Sequence, residues 1–240
     1  MQSPHSGKKQ IGLFGFGAFG RLMVSHLSSR FDFVIHDPAL NDGATLHQAA
    51  ACPIVILAVP VAALEETVKR IAPHLRRGNL VIDVGSVKVK PAAIMKAGLP
   101  AHVDILCTHP LFGPQSAKNG LVDLKIVLCP IRVRHMRALT RFLKGLKLQV
   151  IEATPEAHDR ELAVVQGLTH LIAQVLIKME PLPSSMTTRS FDLLKTAIDM
   201  VRDDPPGVLH AIEHDNPFAA DVRESFFRLA HEMKLRFETL

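Results

Sequence analysis

Ile11-Gly12-Leu13-Phe14-Gly15-Phe16-Gly17-Ala18-Phe19-Gly20 decides the fold of this chain. The apolar run Ile11–Phe14 reads as a strand, and the chain then enters a GxGxxG loop that opens a helix. The first glycine permits a tight turn. The second lets a pyrophosphate reach the backbone, and the third lets helix and strand pack closely. The helix N-terminus then faces the phosphates. Alone the motif is a weak signal, but its context is complete. Asp37 stands at the end of the next strand, close to the expected offset of ~20 residues. A carboxylate there accepts hydrogen bonds from adenosine ribose hydroxyls and repels a 2′-phosphate. That favours NAD over NADP, with His36 beside it to soften the preference. The candidate cofactor-binding residues are Gly15, Phe16, Gly17, Ala18, Phe19, Gly20 and Asp37. An unliganded glycine-rich turn, with Asp37 as a turn residue before Pro38, is the alternative.

Working outward, further apolar runs lie at Phe33–His36, Ile54–Val59, Leu80–Val84, Val103–Cys107, Ile126–Cys129 and Leu148–Ile151. The first strands are near-continuously apolar, as expected when helices cover both faces of a sheet. Helical stretches such as Phe19–Ser29 and Val61–His74 fit between them. The fold class is therefore α/β: a Rossmann-type, doubly wound, mainly parallel sheet over residues 10–152. Residues 1–9 read as a disordered tail. The pattern changes at Thr154-Pro155, an N-cap followed by a proline suited to the first helical turn. From there to Met179 the chain reads as one helix, apolar nearly all round and so buried on most sides. Its exception is a polar stripe, Gln166, His170 and Gln174, which faces either a cleft or a satisfied core network. A second helix spans about Met186–Asp203 and ends at Pro205-Pro206. A third is capped by Asn216-Pro217. Residues 153–240 thus form a helical domain, too small and too apolar to stand alone. It is expected to pack against a second copy of the chain.

Composition excludes several classes. Of 240 residues 48% are hydrophobic, enough for a sizeable core. The net charge is +5, but Lys and Arg are scattered, with only short pairs such as Lys8-Lys9 and Arg76-Arg77. That suits anionic small molecules rather than nucleic acid. The three cysteines lack metal-ligand spacing and read as buried thiols of a reducing compartment, so no metal site is expected. No apolar run approaches the ~20 residues that span a bilayer. The charged N-terminus leads into no apolar segment, so no signal peptide is expected. A cytoplasmic protein without a membrane role is the reading.

The chemistry gathers where strands end. In Thr108-His109-Pro110-Leu111-Phe112-Gly113-Pro114-Gln115, His109 follows the fifth apolar run. It sits on the edge where doubly wound sheets bind ligands. An imidazole there can take a proton from a substrate hydroxyl while the carbon gives hydride to NAD. Asp83-Val84-Gly85-Ser86-Val87-Lys88 ends the adjacent strand. Ser86 would orient the imidazole or bond the same substrate oxygen. Lys88 would hold a carboxylate or steady the loop. Each of these is also explained as a strand-end residue capping the backbone.

Gly15–Gly20, Leu57-Ala58-Val59-Pro60, Ile82–Lys88, Thr108–Ser116 and His158-Asp159-Arg160…Gln166-Gly167-Leu168-Thr169-His170 together resemble the prephenate/arogenate dehydrogenases of tyrosine biosynthesis. The resemblance runs in order from Gln10 onward. It implies a Rossmann domain followed by a helical domain that interlocks in a homodimer. It implies NAD-dependent oxidative decarboxylation of prephenate, with arogenate, or both, as the alternative small-molecule substrate. His109 and Ser86 would be catalytic, and Val59 and Pro60 would line the cofactor. His170 would match a substrate-side histidine of the helical domain; a satisfied core histidine is the other reading. Gln166 and Lys88 join the substrate-binding candidates. Many bacterial members grip a substrate carboxylate with an arginine where this chain has Asp199. Arg202 lies one turn on, and Arg189, near the helix start, is the preferred substitute, unless these charges form only a solvated face. Plant arogenate enzymes carry an acidic residue near the position of Cys129, and its absence tilts the reading to prephenate. No regulatory domain is expected after Leu240, and so no feedback through an appended sensor domain. A reductase of another Rossmann type would want a catalytic lysine or acid in the helical region. A non-catalytic NAD-binding regulator would bind the cofactor without turnover.

Overall fold

A computed structural model describes residues 7–239. The chain divides into two compact units, one ending at Pro155 and one starting at Glu156. In the first unit, seven strands form one sheet: β1 (Lys9–Phe14), β2 (Phe31–His36), β3 (Ile54–Leu57), β4 (Leu80–Asp83), β5 (Asp104–Pro110), β6 (Lys125–Arg132) and β7 (Gln149–Glu152). Their spatial order is β2-β1-β3-β4-β5-β6-β7. Strands β1 to β5 pair in parallel, β6 runs antiparallel to β5, and β7 is parallel to β6. The chain leaves β1 toward β2 on one side and returns to β3 on the other. That reversal opens a crevice outside the carboxyl ends of β1 and β3, where such sheets take ligands.

Helices cover both faces, which explains the near-continuous apolar strands. On one face Val55, Leu57, Val81 and Cys107 pack with Leu64 and Val68 of α3 (Val61–Ile71) and Met95 of α4 (Val89–Gly98). On the other, Leu13 and Ile56 meet Met23 and Val24 of α1 (Ala18–Leu27). There too Leu106 and Leu128 meet Leu139 and Leu143 of α5 (Met136–Gly145). Side chains alternate along each strand, so neighbours such as Leu106 and Cys107 serve opposite layers.

Three expectations change. The fifth strand does not stop at Cys107 but runs through His109 to Pro110. Beyond the end of β4 it still has β6 as a partner, with Thr108, His109 and Pro110 opposite Leu128, Val127 and Ile126. The sheet begins at Lys9, inside the segment assigned to the tail; residues 1–6 of that tail lie outside the described residues. A short helix, α2 (Leu46–Ala50), escaped the sequence reading because one turn shows no period; Thr45 and Gln48 form its capping box.

The second unit is helical. Helix α6 (Pro155–Leu162) continues through a π-helical segment, Ala163–Gly167, into α7 (Leu168–Lys178). Then come α8 (Arg189–Val201), α9 (Pro206–His210), a second π segment, Ala211–Asp215, and α10 (Ala219–Glu238). Pro205-Pro206 follows the end of α8, as read, and also starts α9, because a proline in the first turn loses no helical hydrogen bond. Asn216 joins two parts of the unit. Its Oδ1 accepts from the Phe218 N–H at 2.9 Å and its Nδ2 donates to the Asp159 carbonyl at 2.8 Å. Beside it His158 and Asp159 are buried as a hydrogen-bonded pair at 2.7 Å. The Arg160 guanidinium lies 4.3 Å from the Phe218 ring centre.

The stretch Pro155–Lys178 is, by length and composition alone, long and apolar enough to cross a membrane. This corrects the expectation that no such stretch exists: isolated Gln, Thr and His residues break the linear apolar run but not the helix. Nor is the stretch covered on most sides. Val164, Val165 and Val175 remain 49%, 61% and 45% exposed.

Candidate active site

The glycine loop is shaped by close approach. Gly15 has φ +92°, and a side chain there would strike the Ala58 carbonyl. Gly17 differs: where its Cβ would sit, nothing lies within 4 Å. It is the N-cap of α1, with no side chain capping the first turn. Uncapped N–H groups beside open space make an anion cradle. Ala18 and Phe19 open the helix, and Phe16 lies under the Arg21 guanidinium at 5.6 Å. Val59 follows β3, and Pro60 is the N-cap of α3. Asp37 ties this loop to β2. Its Oδ2 accepts from the Phe16 N–H at 2.6 Å and its Oδ1 from the Ala39 N–H at 2.8 Å. These two bonds, the Phe16 one foremost, hold its carboxyl below the usual carboxylate range. Each oxygen keeps a lone pair for a ribose hydroxyl. His36 turns its Nδ1 to the Ala44 carbonyl at 2.8 Å. The hollow at Gly17, the uncapped helix end and the ionised Asp37 fit a dinucleotide.

Ser86 and His109 lie along the same edge of the sheet. Leu57 pairs with Asp83 and Asp83 with Cys107, so the loop after β4 leaves the sheet beside the extension of β5. His109 is buried at 4% exposure and Ser86 half-buried. Phe112, in the turn after His109, meets Phe19 of α1 with ring centres 6.3 Å apart. The glycine loop and the histidine turn therefore touch, a contact no sequence signal announced.

Lys88 is turned into the protein interior. It is 0% exposed, paired with Asp83, and its Nζ donates to the Thr108 carbonyl at 2.6 Å. These contacts fit the loop-brace reading of Lys88 and engage its cation away from a substrate carboxylate. Asp83 and Thr108 lie inside the two strand-end motifs, but a buried brace has no spacing signature to single them out.

In the helical unit, His170 is buried, with Nδ1 at 2.9 Å from the Gln166 carbonyl and Nε2 at 3.1 Å from Asp204 Oδ2. Both partners accept, so the doubly protonated ring satisfies both. Burial disfavours that cation, but the Asp204 hydrogen bond and the Gln166 carbonyl outweigh it, and the pKa lies above the ordinary histidine value. Gln166 itself is half-buried in the first π segment. Arg189 opens α8 and is exposed. Arg202 is held by Glu180, at 2.5 and 3.1 Å, and by Asp199, at 3.0 Å. Of the two arginines weighed for carboxylate binding, Arg202 is thus already occupied.

A doubly wound sheet with a glycine cradle at its switch point, an acidic residue after β2 and a histidine on the carboxyl edge defines a dinucleotide-binding protein of the dehydrogenase kind. More narrowly, the chain belongs to the prephenate/arogenate dehydrogenase family. Residues 34–152 match the family model for the prephenate dehydrogenase nucleotide-binding domain. The probable arogenate/prephenate dehydrogenase of Methanocaldococcus jannaschii is 30% identical over 75% of this chain and 42% of its own length. The chloroplastic arogenate dehydrogenase 2 of Arabidopsis thaliana is 29% identical over 90% of this chain and 66% of its own. The chain thus spans less than two thirds of either relative. Among solved structures, prephenate dehydrogenase from A. aeolicus, in complex with hydroxyphenyl propionate and NAD+, superposes with a TM-score of 0.73. It is 20% identical, and the match covers 97% of this chain and 91% of that one. Synechocystis arogenate dehydrogenase gives a TM-score of 0.66 at 20% identity, over 96% and 92%. At such identity these two show the fold.

Proposed function

We propose that this chain catalyses the NAD-dependent oxidative decarboxylation of prephenate to 4-hydroxyphenylpyruvate. The observation that supports it most is His109, set on the extension of β5 at the edge that also carries the glycine cradle and the Ser86 loop. The Gly17 hollow and the α1 N-terminus would hold the pyrophosphate, and Asp37 the adenosine ribose, in preference to a 2′-phosphate. Bound NAD would supply the hydride acceptor. His109 accepts a hydrogen bond from the substrate hydroxyl, with Ser86 fixing the same oxygen or the ring. As the hydroxyl carbon loses hydride, His109 takes the hydroxyl proton and a ring carbonyl forms. That carbonyl draws in the electron pair of the breaking carbon–carboxylate bond. Carbon dioxide leaves, the ring becomes aromatic, and the oxygen recovers its proton from His109. Arg189 is the group offered for a substrate carboxylate, since His170 already spends both ring nitrogens on the Gln166 carbonyl and Asp204.

Arogenate is the second reading. The Arabidopsis relatives that match 90% of this chain are arogenate dehydrogenases. Cys129 is fully buried in the sheet core, so the lack of an acid there says little about a substrate ammonium group. The partner proposed for the helical unit is a second copy of the chain, which would cover the exposed valines of the Pro155–Lys178 stretch.

The test is absorbance at 340 nm with NAD, offering each substrate separately. Turnover with either, reduced about 10³-fold in His109→Ala while NAD still binds, is the expected result. NAD binding without turnover on both substrates overturns the proposal in favour of a regulator.

A further inference from the structure

We infer that Asp83 and Lys88 are positioning residues: a buried ion pair that fixes Ser86 and His109 relative to each other. The inference rests on the catalytic reading of those two residues. Lys88 is 0% and Asp83 3% exposed. The Lys88 Nζ contacts Asp83 Oδ2 and donates to the Thr108 carbonyl at 2.6 Å. That carbonyl belongs to the peptide whose nitrogen is His109's own. Asp83 Oδ1 accepts from the Gly85 N–H at 2.9 Å, and the Thr108 hydroxyl donates to the Asp83 carbonyl at 2.8 Å. Ser86 lies inside the short loop that the ion pair closes. By strand alternation Asp83 and His109 share the α3–α4 face of the sheet, with Val81 and Cys107. One lysine therefore closes the serine loop and pins the histidine peptide.

Stability does not explain the pair. Desolvating two charges offsets their attraction, and an apolar replacement of both is commonly neutral or stabilising. What an apolar pair cannot do is hold a carbonyl on a neighbouring strand at a fixed distance. Catalytic geometry makes that worth keeping, since a displacement of about 1 Å costs about 100-fold in rate.

The experiment compares wild type, the double variant Asp83→Asn/Lys88→Met and His109→Ala. The double variant leaves no uncompensated buried charge, and thermal melting with NAD titration verifies that it folds. Two readouts decide. The first is turnover on prephenate or arogenate: kcat should fall about 100-fold with KM changed less than about threefold. The second is the imidazole resonance of His109, assigned by its loss in His109→Ala: it should broaden and titrate at a different pH in the double variant. A folded double variant with wild-type kcat and an unmoved His109 resonance overturns the inference. If wild type turns over neither substrate, the catalytic reading fails, and the resonance alone still decides whether the pair positions His109: a shifted resonance upholds that, an unmoved one refutes it.

Discussion

The two units of this chain differ in what their charges hold near the site and in how fully their apolar faces are covered. In the sheet unit the charges near the carboxyl edge are bound to backbone. Lys88 holds the Thr108 carbonyl, and Asp37 holds the Phe16 and Ala39 N–H groups. Its core strands are covered on both faces. In the helical unit the Arg202 ion pairs lie at the surface, and large apolar side chains on α7, α8 and α10 stand in solvent. A backbone-anchored charge can place a loop to a fraction of an ångström. An exposed apolar helix face places nothing until something covers it. Precision for chemistry thus belongs to the first unit, and the second supplies surface that association can complete.

The largest expected effect separates the two kinds of ion pair. Lys88→Met alone leaves the Asp83 carboxylate buried without its cation and should cost about 3–5 kcal/mol, seen as a large drop in melting temperature. Arg202→Met removes an exposed cation bound to Glu180 and Asp199 and should barely move the melt. Equal losses for both would erase the contrast between the units.

A smaller effect sharpens the other half. Val165 is 61% exposed on the first π segment. Val165→Lys puts a charge where a second copy would bury a valine. Sedimentation should show wild type as a dimer and the variant shifted to monomer, with NAD binding retained. A monomeric wild type would leave the apolar helix faces needing another cover.

Much of the sheet unit was legible because its signals are local. The glycine loop, Asp37 and the apolar strands each announce themselves within a few residues. The extension of β5 through His109 was not, since it depends on β6, a partner fixed only by the tertiary fold. Lys88 kept two readings for a related reason: a lysine two residues after a serine at a strand end can serve a ligand or the loop, and only the position of Asp83 and the Thr108 carbonyl buries it. In the helical unit the π segments carry no sequence period, and His170 finds Asp204 across 34 residues. The polar stripe through Gln166 and His170 was visible. Its resolution into a satisfied pair was not.

That histidine gives the smallest effect. The folded-state pKa of His170 is raised, through Asp204 and the Gln166 carbonyl against the opposing effect of burial. A raised pKa means the folded state holds the proton more tightly than the unfolded chain. The contribution is therefore complete below the unfolded value near 6.5 and disappears as pH rises through the folded one. The melting temperature of wild type should fall relative to Asp204→Asn as pH is taken from 6 to 8, by about 1–3 °C. Asp204→Asn removes a main cause of the upward shift and should flatten the profile. If both proteins show the same slope, the protonated pair does not hold α7 to the loop after α8, and the closed polar network assigned to the helical unit loses one of its members.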